Sequence, residues 1–281
     1  SALAFNEAFD LPRLDGSGEV IPVQLVTDFQ FTDFTPAGGA LGLRATALAA
    51  GPAPYVNLGF PLRQGCGAPP QLLVVPKVDP FELVLSDDTL NGLLHAAWYG
   101  GLLEFPIPES MLGDMDLAAY GIENMQLSIS GMLAPAAGDC YDDGELRIFM
   151  GDMRLDVHFD MGGMPVDIIV WATLTMGLEL QVGDGEIALV LTGFDSVDTE
   201  LLVVQDNLVG LVDLIGDGFE VLLTEALMTA LNGGQLASIP LPAIDLSGMV
   251  AGLPPGTVLA LDPQNITRID GNTIIGGALA Q

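Results

Sequence analysis

Lysine is almost absent. Lys77 stands alone, and basic residues total 7 against 37 acidic ones, for a formal net charge of −30 over 281 residues. Phosphate polymers are bound by cations that displace counterions, so this balance excludes nucleic acid as a partner. It also disfavours an anionic membrane surface. What it does provide is a soluble, salt-tolerant exterior. Calcium would be a sharper use of so many carboxylates. However, the densest cluster, Asp139, Asp142, Asp143 and Glu145, lacks the alternating aspartates of an EF-hand loop and reads as a solvated turn.

Cysteine is nearly as scarce. Cys66 and Cys140 form no CxxC or Cys/His cluster, so neither a metal nor a cofactor is expected. An even count suits one disulfide in an oxidising compartment, and two unpaired buried thiols are the alternative. Imidazole bases are limited to His95 and His158. No Gly-x-Ser-x-Gly elbow or zinc signature accompanies them, so no enzyme is expected. No apolar run approaches the roughly 18 residues of a transmembrane helix. The opening SALAFNEAFD has neither a charged n-region nor an apolar h-region. A signal peptide is therefore expected to have been removed already or never to have existed.

What is abundant is apolar sequence, 50% of the residues, with a mean hydropathy of +0.49. A lipid-binding cavity is one use for it and a thick core another. The stretch 206–234, DNLVGLVDLIGDGFEVLLTEALMTALNGG, spaces Leu208, Leu211, Val212, Ile215, Phe219, Leu222, Leu223, Ala226 and Ala230 by threes and fours. That is one face of a helix, about 40 Å long at the α-helical rise. Asp206 is placed to cap it and Gly233 to end it. A shorter helix follows Ser86, with Asp87 and Asp88 in its first turn and a stripe of Leu90, Leu93, Leu94, Ala97 and Trp98.

Most of the remaining chain alternates with period two. Ile21, Val23, Leu25, Phe29 and Phe31 oppose Gln24, Asp28, Gln30 and Thr32; a Pro-Ala-Gly-Gly turn then sends the chain back through Leu41, Leu43 and Ala45. Short strands are expected at 71–75 and 81–85. Further strands follow around 125–130, 146–150, 153–159, 166–182, 186–191 and 199–204, and a closing meander runs from 257 to 275. Gly183-Asp-Gly185 reads as a hairpin turn. Trp171 lies within the longest strand. Residues 1–20 read as a loosely held leader, 21–85 as a hairpin with a linker, and 86–281 as the main domain. Hairpins with two distant helices make an α+β layer arrangement, not alternating βαβ.

Three stretches carry a resemblance. FELVLSDDTLNGLLHAAWYGGLLEFP at 81–106, IPLPAIDL at 239–246 and TIIGGAL at 273–279 resemble, in order and spacing, segments of the bactericidal/permeability-increasing and lipopolysaccharide-binding protein family. The hairpin from Val23 to Ala49 sits where that family's central sheet returns. The resemblance implies a tubular lipid-binding fold, in which a highly twisted antiparallel sheet wraps a long helix and a shorter one around an apolar tunnel. It implies phospholipid or fatty acid as ligand. The lining is then expected at Leu90, Leu94, Trp98, Trp171, Leu211, Ile215, Phe219 and Leu222, in a secreted, periplasmic or cell-surface protein. A sixteen-carbon tail would gain about 12 kcal/mol from burial before entropy costs. A structural or interaction module with the same shell and a filled core is the alternative.

Three features depart from the family. It has two such domains and this chain has room for one, so the Val23–Ala49 hairpin would meet a missing N-terminal domain or a second copy. Its endotoxin-binding members are basic at the tip, so lipopolysaccharide binding does not transfer to this acidic chain. Its disulfide lies in the first domain, so a Cys66–Cys140 bond would be this protein's own.

Overall fold

The computed structural model describes residues 6–35, 38–50, 59, 81–107, 121–138, 146–183, 186–203, 235–240, 244–245, 254, 258–269 and 271–280. The expected long helix at 206–234, the strand at 71–75, both cysteines and the acidic cluster at 139–145 lie outside them.

Period-two sequence becomes three antiparallel sheets. The first has the order β1-β2-β3, from β1 (Asn6–Pro12), β2 (Val20–Thr35) and β3 (Gly38–Ala49). Val23 pairs with Ala49, as the alternation predicts. The segment read as a loose leader is not loose. Glu7 to Pro12 pair residue by residue with Leu25 to Val20, and Leu11 is buried. Phe9 and Leu11 alternate with exposed Asp10 and Pro12, which gives a half-buried strand something to bury.

β4 (Phe81–Ser86) runs directly into α1 (Asp87–Tyr99). Ser86 has the extended N-cap backbone but makes no side-chain cap bond. Its hydroxyl lies 3.2 Å from the Thr89 hydroxyl instead. The Asp87 N–H donates to the Gly271 carbonyl at 3.0 Å, so a turn far along the chain satisfies one of the helix's free donors. After Gly100 the chain enters β5 (Glu104–Ile107). A side chain at Gly100 would collide with Ile21, so glycine is what lets the helix end against β2.

The seven-stranded sheet holds most of the core. It adds β6 (Ile122–Gly131), β7 (Ala136–Ala137), β8 (Leu146–Met161), β9 (Met164–Gly183), β10 (Glu186–Val203) and β11 (Gln235–Pro240). Its order is β11-β10-β9-β8-β6-β5, with β7 beside β8. β8 was expected as two strands because Met150 and Met153 break the alternation. It is continuous: an extra residue at Gly151-Asp152, with Asp152 at φ 49°, restores the phase and keeps both methionines inward. β10 is likewise one strand, carried through its middle by two register shifts.

A four-stranded sheet, β12-β13-β14-β4, closes the far end, with β12 (Ile244–Asp245), β13 (Val258–Ile269) and β14 (Asn272–Ala280). Its Ile275 packs with Ile187 of β10. The described architecture is therefore a sheet-dominated α+β fold with one helix.

Candidate functional site

α1 lies between two sheets. Ala96 and Ala97 pack with Leu11, Ile21 and Val23 of the three-stranded sheet. Leu90 and Trp98 join the core of the seven-stranded sheet. Two side-chain bonds hold the helix to this side. The Trp98 Nε1–H donates to the Gly131 carbonyl at 2.5 Å, and the Ala137 N–H donates to Asn91 Oδ1 at 2.5 Å.

Between helix and sheet lies an apolar cavity of about 90 Å³. Leu90, Leu93, Leu94 and Ala97 roof it, and Leu146, Ile148, Met150, Met176, Leu178 and Leu189 form its floor. Phe9, Leu11, Leu14, Leu102, Leu103, Pro135 and Ala137 complete the wall, so every lining residue is apolar. The floor is buried, whereas Phe9, Leu14, Leu93, Leu94 and Leu102 are only half-buried. That loose side is where a guest could enter.

No charge enters the lining. His95, on the same helix, stacks on Tyr99 at 6.3 Å and lies 5.6 Å from Trp98. Burial holds its pKa below the usual histidine value and so favours the neutral ring. Among the described residues, no group of His, Cys, Asp or Glu could hold a metal ion, and no helix is long and apolar enough to cross a membrane.

The predicted lining residues are divided. Leu90 and Leu94 line the cavity. Trp98 is buried in the same core cluster but stands behind the wall, fixed by its indole bond. Trp171 is on the opposite face of β9, since its neighbours Val170 and Ala172 are the inward residues. Leu211, Ile215, Phe219 and Leu222 lie outside the described residues. Sequence reasoning missed Phe9, Leu11 and Leu14, whose alternation was hidden by the leader reading. It also missed the floor methionines and leucines, which read only as generic core.

No family model matches the sequence, and no curated protein matches it either. Six solved chains match. One of them, a crystal structure of lipopolysaccharide binding protein, aligns over 93% of this chain and 75% of its own, at 10% identity and a TM-score of 0.36. That likeness is distant and too loose to carry an argument about either fold or function.

Proposed function

We propose that this chain binds lipid, taking the end of a phospholipid or fatty-acid chain into the apolar cavity beneath α1, in a secreted, periplasmic or cell-surface setting. The observation that supports the reading is the lining itself: a closed floor, a half-buried rim and no polar side chain on any wall. Such a cavity excludes water and accepts hydrocarbon.

Size sets the strength of binding. At about 90 Å³ the cavity holds only a few methylene-sized groups. Their burial is worth about 2–3 kcal/mol, weaker than millimolar binding by itself. Tighter capture requires Leu93, Leu94 and the Phe9–Leu14 side of the rim to swing outward and admit more of the tail. Ligand pockets are typically about 300–1,000 Å³. The expected contribution of Leu211, Ile215, Phe219 and Leu222 belongs to the same proposal.

The small volume also favours a second reading, an interaction module with a filled core. Among the described residues β3 pairs only with β2, leaving an edge for a second copy or another domain. Native mass spectrometry of the purified chain, with uptake of a fluorescent fatty acid and a fluorescent phospholipid, separates the two. Copurified or acquired lipid supports the first. A lipid-free chain that takes up neither probe and sediments as a dimer supports the second.

A further inference from the structure

The half-buried rim of the cavity has two sides, and they are held very differently. On one side Leu93 and Leu94 ride on α1. Moving that helix would break the buried Trp98–Gly131 and Asn91–Ala137 hydrogen bonds. It would also pull Asp87 from Arg268, whose side chains are 0% and 9% exposed. Each rupture leaves a buried polar group without that partner, which is the costly kind of loss. On the other side stands the turn between β1 and β2, residues 13–19, RLDGSGE. Leu14 is its one apolar residue, and Leu14 lines the cavity.

The turn is braced mainly by itself. The Arg13 N–H donates to the Glu19 carbonyl at 2.9 Å and closes it. Inside, the Ser17 N–H donates to Asp15 Oδ1 at 2.9 Å and the Glu19 N–H to Ser17 Oγ at 3.1 Å. Gly16 and Gly18 are exposed, at φ 69° and 76°, and a side chain at Gly18 would meet nothing. Among the described residues, the turn's hydrogen bond to the rest of the molecule comes from Arg13. Its Nη1 donates to the Gly101 carbonyl at 3.4 Å, which is long for such a bond. Gly101 precedes Leu102, so this bond joins Leu14's side of the rim to another lining residue. Breaking it orphans nothing. The Gly101 carbonyl still accepts from the Glu104 N–H at 3.2 Å. Arg13 keeps Glu19, 3.5 Å away and largely exposed, within its own turn.

We propose that the 13–19 turn is the gate of the cavity, with Leu14 as its plug and the Arg13–Gly101 bond as its latch. The turn swings as a unit on the ends of β1 and β2, while the strand pairing from Pro12–Val20 inward keeps its register and holds Phe9 against Val23. α1 stays in place. Opening costs one weak polar contact and the apolar contacts of the half-buried Leu14. The choice of guest rests on the lipid reading above: the end of an acyl chain enters past Leu14.

The test uses the full chain and a fluorescent fatty acid in stopped flow. Uptake is expected to be about three- to tenfold faster in Arg13→Ala and in Leu14→Ala than in the parent, because entry scales with the open fraction. Glu19→Gln spares the Gly101 bond and is expected to stay within about twofold of the parent. Methyl relaxation dispersion on the lipid-free chain reads the motion without a guest. Exchange is expected at the Leu14 methyls and not at those of Leu90 in the buried roof. If neither the parent nor any variant takes up the fatty acid, the lipid reading falls and the gate falls with it. If the parent takes it up and both Arg13→Ala and Leu14→Ala leave the rate unchanged, the lipid reading stands and the gate is overturned. Static Leu14 methyls beside exchanging Leu93 and Leu94 would also overturn it, by showing that the helix side opens instead.

Discussion

The two carboxylate oxygens of Asp87 lie 3.0 and 3.1 Å from the two terminal nitrogens of Arg268, which also donates to the Thr273 hydroxyl at 2.9 Å. The Asp87 side chain is 0% exposed and that of Arg268 only 9%. The pair therefore ties the first residue of the helix to the closing four-stranded sheet, 181 residues along the chain. Bidentate geometry is what makes a buried pair tolerable against its desolvation. Removing one partner leaves the other charge buried alone. Arg268→Met is expected to cost about 3–5 kcal/mol in urea unfolding, and the Asp87→Leu, Arg268→Met double variant much less. A loss in the double variant equal to the two single losses added would show that the pair is not coupled.

The cavity makes opposite predictions for stability and uptake. Leu90 is buried in its roof. Leu90→Ala is expected to destabilise the protein by about 2–5 kcal/mol, because the enlarged hole loses its contacts. The same variant is expected to take up a short-chain fatty acid better than the parent, since the added room is apolar. Uptake that falls or stays flat while the variant remains folded would disconnect this cavity from lipid.

His95 supplies a pH dependence. Burial lowers its pKa from the reference value of 6.5, so the unfolded chain takes up the proton at a higher pH than the folded one. Stability is then greatest above the unfolded value and declines as the pH falls through 6.5 towards the lower folded value. His95→Gln is expected to lose that part of the acid sensitivity. The check is the difference in melting temperature between parent and variant, followed from neutral to mildly acidic pH. A difference that does not change across this range would show that His95 is equally easy to protonate in both states.

Much of the fold could be read from local rules, and the misreadings have physical causes. The Val23–Ala49 pairing and the 87–99 helix follow from alternation, turn residues and a three-four stripe. The continuity of β8 does not, because one extra residue at Gly151-Asp152 reverses the parity that the alternation rule depends on. Trp171 was assigned to the wrong side for a different reason. Ile168 and Val170 occupy one face of β9, and Ile169 and Trp171 the other. When both faces are apolar, periodicity cannot tell which is inward; tertiary packing decides. One of the five half-buried rim residues, Phe9, lies on β1 and another, Leu14, just after it; the short apolar alternation there is outweighed in the sequence by the glycine and aspartate around it.

Trp98 offers the last test, because its role as a support differs from the lining role first expected of it. Its indole N–H donates to the Gly131 carbonyl at 2.5 Å in a buried setting, and its ring lies in the core rather than on the cavity wall. Trp98→Phe keeps most of the apolar bulk but removes the donor and leaves the carbonyl without that partner. The expected cost is about 1–3 kcal/mol, measured by urea denaturation. Uptake of a fatty acid should change little, since no lining atom is lost. If Trp98→Phe instead abolished uptake at unchanged stability, the ring would have to touch the guest directly, and the roof of the cavity would extend further along α1 than Leu90, Leu93, Leu94 and Ala97.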